Sequence, residues 1–178
     1  MNQLNIFKIK YAEPKHSKGI IEVYKDWDEF KGILPEELIS SNSEKDILKH
    51  IEDSNSSKKY VIAESKDELV IGVCYIDLAF KDLKTIRLGD MIVKKEFRRK
   101  GIGSALVDKI INFAKRHNIL KIWLWTQDIL TPAIKLYEKK GFIKEGRQSS
   151  QFCGRDAELY GLVLNDLNTV SPMSFRNS

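Results

Sequence analysis

The stretch Arg98-Arg99-Lys100-Gly101-Ile102-Gly103-Ser104 constrains this chain more than any other. Residues 88–93, just before it, form a short apolar run with the look of a buried strand. After it, Leu106, Ile110, Phe113 and Ala114 recur at helical spacing, which predicts a helix over residues 105–117. The local order is strand, basic glycine loop, helix. Such a loop aims several backbone N–H groups one way, and the helix dipole adds positive potential there. Glycines at 101 and 103 remove the Cβ atoms that would hold a bulky ligand off the backbone. Arg98, Arg99 and Lys100 add fixed charge. This chemistry suits a phosphate, above all a diphosphate. The spacing, Arg98-x-x-Gly101-x-Gly103, is neither the common nucleotide loop nor a complete dinucleotide fingerprint. From the loop alone, a basic turn capping an ordinary amphipathic helix is the competing reading.

A chain of 178 residues suits one domain with a substantial core. We expect that domain over residues 1–167, with residues 168–178 as a polar, frayed tail. No apolar run is long enough to cross a membrane, and residues 1–10 lack the apolar centre of a signal peptide. The expected location is cytoplasmic, with no membrane partner. A net charge of +5 suits an anionic ligand. Lys and Arg are spread rather than gathered with aromatics, so nucleic acid is not an expected partner. Cys74 and Cys153 stand far apart with no Cys-x-x-Cys pair, which predicts two reduced thiols and neither a metal site nor a disulfide.

Alternation predicts a first strand over residues 4–11. Pro14 suits the start of a helix with Ile20, Ile21, Val23, Tyr24 and Trp27 on its apolar face. Ser43 with Asp46 predicts a capped helix over residues 44–53. Strands follow at residues 60–64 and 69–78, with a bulge suggested by Gly72, then the strand before the glycine loop. Residues 121–126 read as a fifth strand. Thr131-Pro132 reads as an N-cap and first-turn pair for a helix to Lys140, closed by Gly141. A hairpin around Gly154 ends the domain. The class is α/β or α+β, a mixed, mostly antiparallel sheet of six to seven strands with helices on both faces.

A second motif joins the loop: Ala133-Ile134-Lys135-Leu136-Tyr137-Glu138-Lys139-Lys140-Gly141-Phe142. Together, in this order, the two resemble the GCN5-related N-acetyltransferase (GNAT) superfamily over residues 4–164. The resemblance implies acetyl-CoA as co-substrate, an amine acceptor and no metal. Backbone N–H groups of Arg98, Arg99, Lys100, Gly101, Ile102, Gly103 and Ser104 would hold its pyrophosphate. The pantetheine arm would pair along Met91, Ile92 and Val93 like an added strand, where strands four and five splay apart. The thioester would end near Tyr137. Many members carry an asparagine three residues before the motif's alanine; Leu130 stands there, so that one contact is not implied.

In the family the amine attacks directly in a ternary complex, so no enzyme nucleophile is needed and Cys153 is not read as one. Proton transfers are the part side chains can take. Tyr137 is the expected general acid toward the departing thiolate; the alternative is a tyrosine packed on the sheet. Asp90, taken at the start of strand four, is the candidate base; the alternative is a sheet-end aspartate bonded to a loop. Asp128 is a second choice. His16, His50 and His117 are expected to be solvated. Asp26, Asp28, Glu29, Glu36 and Glu37 make residues 24–41 acidic, which suits a cationic amine as well as a plain solvated face. Three readings stand at this point. The first is an N-acetyltransferase for a small amine, the second a protein N-terminal or lysine acetyltransferase, the third a non-catalytic acyl-CoA sensor. A homodimer is left open.

Overall fold

A computed structural model of the chain describes residues 6–30, 43–152 and 154–164. Cys153, residues 31–42 and the expected tail over 168–178 lie outside the described residues. The strands are β1 (Phe7–Tyr11), β2 (Lys58–Ser65), β3 (Val70–Asp77), β4 (Thr85–Val93), β5 (Lys121–Thr126), β6 (Ile143–Phe152) and β7 (Arg155–Val163). The helices are α1 (Ser17–Tyr24), α2 (Glu44–Glu52), α3 (Ile102–Arg116) and α4 (Thr131–Lys139). The strands form one sheet in the order β1-β2-β3-β4-β5-β7-β6. Among the described strands only β4 and β5 pair in parallel; α3, with the loop before it, makes the crossover that such a pair requires.

Strand alternation sorts the core onto two faces. On one, α3 lays Ile102, Leu106, Val107 and Ile110 against Val61, Ala63, Ile71, Cys74, Ile122 and Leu124, with Tyr137 of α4 beside them. On the other, Ile20, Val23, Tyr24 and Ile47 of α1 and α2 cover Tyr60, Ile62, Val73, Tyr75 and Ile92. Each fully buried aliphatic side chain contributes about 1.5–3 kcal/mol.

Several expectations are corrected. β4 begins at Thr85, so Asp90 lies within the strand rather than at its start. Leu130, not Thr131, is the N-cap of α4, and it offers no side-chain hydrogen bond. His16 is buried, not solvated. Its Nδ1 accepts the Glu13 N–H at 2.8 Å and its Nε2 lies 3.1 Å from Glu64 Oε1, so it ties the turn before α1 to β2. The bulge suggested at Gly72 is present beside it: Ala63 pairs with Gly72 but Glu64 with Val70.

Candidate active site

β4 and β5 are partners only at their first residues, Thr85 with Lys121, Ile86 with Ile122 and Arg87 with Trp123. β5 then continues beside β7 as far as Thr126 and Glu158, while β4 stays with β3 as far as Gly72 and Val93. The two strands diverge and leave facing edges with no strand between them. The cause lies in β4. Val73 pairs with Ile92 and Tyr75 with Gly89, so the single residue Cys74 faces both Asp90 and Met91. That extra residue is a bulge, which bends a strand and increases its twist. Asp90 takes φ 39°, a left-handed conformation that aspartate tolerates better than most residues. The bulge also reverses the strand's parity: Ile86 and Leu88 face α3, whereas Ile92 faces α1.

The glycine loop sits at the end of this opening. Gly101 caps α3 at φ 83° with no side-chain hydrogen bond, and the helix's first bond runs from the Ala105 N–H to the Gly101 carbonyl at 3.0 Å. The N–H groups of residues 99–104 donate to no backbone carbonyl among the described residues. A row of amides with a helix dipole behind it suits an anion. The two glycines serve different needs. A Cβ at Gly101 would meet nothing within 4 Å, so its φ is what requires glycine. A Cβ at Gly103 would stand 3.1 Å from Leu136 Cδ2 and 4.0 Å from Met91 Cε, so Gly103 is where α3, α4 and β4 approach one another.

The other predicted residues divide by what they touch. Arg98 Nε donates to the Val93 carbonyl at 2.9 Å, bracing the loop against β4. Lys100 Nζ lies 5.0 Å from the centre of the Phe97 ring, and Arg99 is exposed. The Ile102 side chain is buried in the core, so only its backbone faces the loop. Met91, Val93 and Ser104 are half-buried, and Ile92 is buried under α1.

Asp90 and Tyr137, from distant parts of the chain, lie near enough for the Asp90 charge to act on the Tyr137 phenol. Tyr137 is buried at the end of α4, its ring 5.8 Å from that of Phe142. Burial pushes its phenol well up, with smaller contributions from Cys74 and from the charge of Asp90. The same Asp90 charge acts on Tyr24, Tyr60 and Tyr75, again behind burial, and the Tyr75 phenol is pushed up to about 12. The charge of Asp90 at the β4 bulge thus acts on phenols from both faces of the sheet, and burial keeps them protonated at neutral pH. Tyr24 Oη is buried without a hydrogen-bond partner among the described residues. The arrangement offers a carboxylate for accepting a proton and a neutral phenol for donating one.

A model of the acetyltransferase (GNAT) family matches residues 20–142. The chain belongs to that family. Human N-acetyltransferase 8 is 34% identical to this GNAT chain over 94 residues, which cover 52% of the chain and 40% of the relative. Streptothricin acetyltransferase A of Bacillus subtilis is 43% identical over 54 residues, 30% of the chain and 31% of the relative. The chain therefore spans well under half the length of the curated relatives it matches. The fold is that of PaiA N-acetyltransferase from Thermoplasma acidophilum, solved in complex with coenzyme A. The TM-score is 0.75 at 22% identity, over 89% of this chain and 99% of that one.

The remaining candidates stand apart from the opening or have other partners. Asp128 is exposed and acts on Arg147. Asp26 Oδ2 accepts the Lys95 N–H at 2.6 Å, fastening the segment after α1 to the loop after β4. The side chains of Asp28 and Glu29, and both Glu36 and Glu37, lie outside what is described. His50 Nδ1 lies 2.7 Å from Ser56 Oγ, and His117 Nδ1 lies 2.8 Å from the Phe113 carbonyl oxygen. Among the described residues no group of His, Cys, Asp and Glu could hold a metal, and no helix is long and apolar enough to cross a membrane. Sequence reasoning missed the bulge and the tyrosines around it. The signal available was Gly89-Asp90, a pair that β-strands disfavour, in the middle of an apolar run.

Proposed function

We propose that this chain is an acetyl-CoA-dependent N-acetyltransferase in which a primary amine attacks the thioester directly in a ternary complex. The opening between β4 and β5, with the amides of residues 99–104 at its end, carries this reading, and the Asp90 charge acting on the Tyr137 phenol supports the two roles. The amides of residues 99–104, which donate to no backbone carbonyl among the described residues, would take the pyrophosphate. The open edge of β4 at Met91, Ile92 and Val93 would take the pantetheine arm by strand-like pairing. The coenzyme A in the Thermoplasma structure supports this assignment by analogy of fold.

The chemistry follows from the two side chains. The amine nitrogen forms a bond to the thioester carbonyl carbon and the carbon–sulfur bond breaks. Asp90 accepts the proton that the amine loses, directly or through one water. Tyr137, which burial keeps in its protonated form, gives its phenolic proton to the departing sulfur. Holding amine and thioester in line supplies much of the rest. A small-molecule amine is the favoured acceptor, in keeping with the likeness to a streptothricin acetyltransferase. The test is thiol release from acetyl-CoA over a panel of amines and peptides. Turnover of small amines is expected. Turnover of peptides alone would transfer the assignment to a protein acceptor, and binding of acetyl-CoA with no turnover would make the chain a sensor.

A further inference from the structure

The sheet face shared by Tyr75, Arg87, Trp123 and Trp125 carries a group that the transfer step does not use. Asp77 of β3, Arg87 of β4 and Trp123 of β5 lie side by side in register. Arg87 Nε and Nη2 donate to Asp77 Oδ2 at 3.3 and 2.9 Å, and Nη2 also to Tyr75 Oη at 2.9 Å. Three rings surround the guanidinium, their centres 5.1 Å (Trp125), 5.5 Å (Tyr75) and 5.8 Å (Trp123) from Cζ. Nη1 has no hydrogen-bond partner among the described residues and is not sealed from solvent.

The side chain leans toward the opening. Register sets Arg87 beside Trp123, yet its guanidinium is nearer Trp125, two residues further along β5. It also reaches Tyr75, whose register partner is Gly89. The Tyr75 ring lies over that glycine so closely that a Cβ there would stand 2.2 Å from Tyr75 Cζ. The next residue is Asp90, whose charge acts on the same phenol. A fixed cation and the proposed base therefore flank one tyrosine. A guanidinium is weakly hydrated, rings around it displace further water, and a remaining N–H edge pairs strongly with a carboxylate. Asp77 occupies Nε and Nη2 and fixes the orientation, leaving Nη1 for a ligand.

We propose that Arg87 binds a carboxylate of the acceptor, so that the acceptor is a small amino acid, its amine at Asp90 and its body against Trp125, Trp123 and Tyr75. This rests on the acetyltransferase reading and narrows it. The test compares phenylalanine, alanine and β-alanine with their carboxamides as acceptors, by thiol release. At least one amino acid is expected to exceed its amide in kcat/KM by roughly tenfold or more, the scale of one charge-assisted hydrogen bond. In Arg87→Gln that preference should collapse through the KM of the amine, with the KM of acetyl-CoA unchanged, and Arg87→Lys should restore part of it. Amides matching or exceeding the acids in the wild type, or a preference that survives in Arg87→Gln, would overturn the proposal while leaving the acetyltransferase intact. Should Arg87→Gln not fold, the wild-type comparison decides alone. If no amine turns over, the acetyltransferase reading is what fails. Tryptophan fluorescence then decides the subsite, with N-acetylphenylalanine titrated against its carboxamide. Quenching by the acid alone supports it, and equal or absent quenching overturns it.

Discussion

Two side chains carry the proposed chemistry, and each can be changed with little change of shape. Phenylalanine at 137 keeps the ring against Phe142 and removes only the donor. Tyr137→Phe is expected to lower kcat by roughly 10²–10⁴, the range of a lost general acid, with acetyl-CoA affinity little changed because the amides of residues 99–104 remain. Steady-state rates with a direct binding measurement check this; a wild-type rate would make Tyr137 a packing residue. Asp90→Asn keeps the side chain's size, and asparagine also tolerates the left-handed φ of 39°. If Asp90 is the base, the acidic limb of the pH–rate profile should shift or vanish in this variant, since that limb reports the base losing its proton. An unchanged limb would leave proton removal to water. Asp90 and Tyr137 were both legible as candidates in sequence. The tyrosines around Asp90 were not, because Tyr24, Tyr60 and Tyr75 read as ordinary apolar-face residues until α1, β2 and β3 come together.

At the scale of elements, the loop and α3 do two jobs that sequence alone merged into one. Gly101 is required by its φ of 83°, and Gly103 by the close approach of Leu136. Gly101→Ala should therefore strain the loop by about 1–3 kcal/mol and weaken acetyl-CoA binding, with α3 still formed. Gly103→Asp is expected to abolish that binding, because a negative charge in the first turn of α3 opposes the pyrophosphate, and also to lower the melting temperature by pushing Leu136. Calorimetry and thermal melts on both variants separate the two effects; normal affinity in both would remove the phosphate-loop reading. The α4 start shows a different limit. Thr131-Pro132 looked like a cap and first turn, but Leu130 takes the cap position and its carbonyl accepts from Ala133 and Ile134. Propensity identified the helix, and the chain's entry from β5 set which residue begins it.

Across the whole molecule, the edge strand β1 is tied in by charge. Glu64 Oε1 meets Lys10 Nζ at 2.7 Å and His16 Nε2 at 3.1 Å. The Lys10 hydrogen bond, opposed in part by burial and aided by His16, holds the Glu64 carboxyl below its ordinary 4.5. A depressed folded value means stability that is present above pH 4.5 and lost as pH falls through the folded pKa. Glu64→Gln should melt about 2–4 °C lower at pH 7, and the gap should close on acidification below 4.5. A gap that persists at low pH would assign the loss to packing. The sequence by itself determined the order of most elements, the basic glycine loop before α3 and the family motif ending in Gly141-Phe142, because periodicity, turn chemistry and short motifs are local. Only the tertiary structure decided that β4 bulges at Asp90, that β4 and β5 part after Arg87, that His16 is buried on Glu64, and that Arg87 leans toward the opening. Each of these depends on residues far apart in the chain, through strand register and cross-sheet packing, and no local pattern encodes a register.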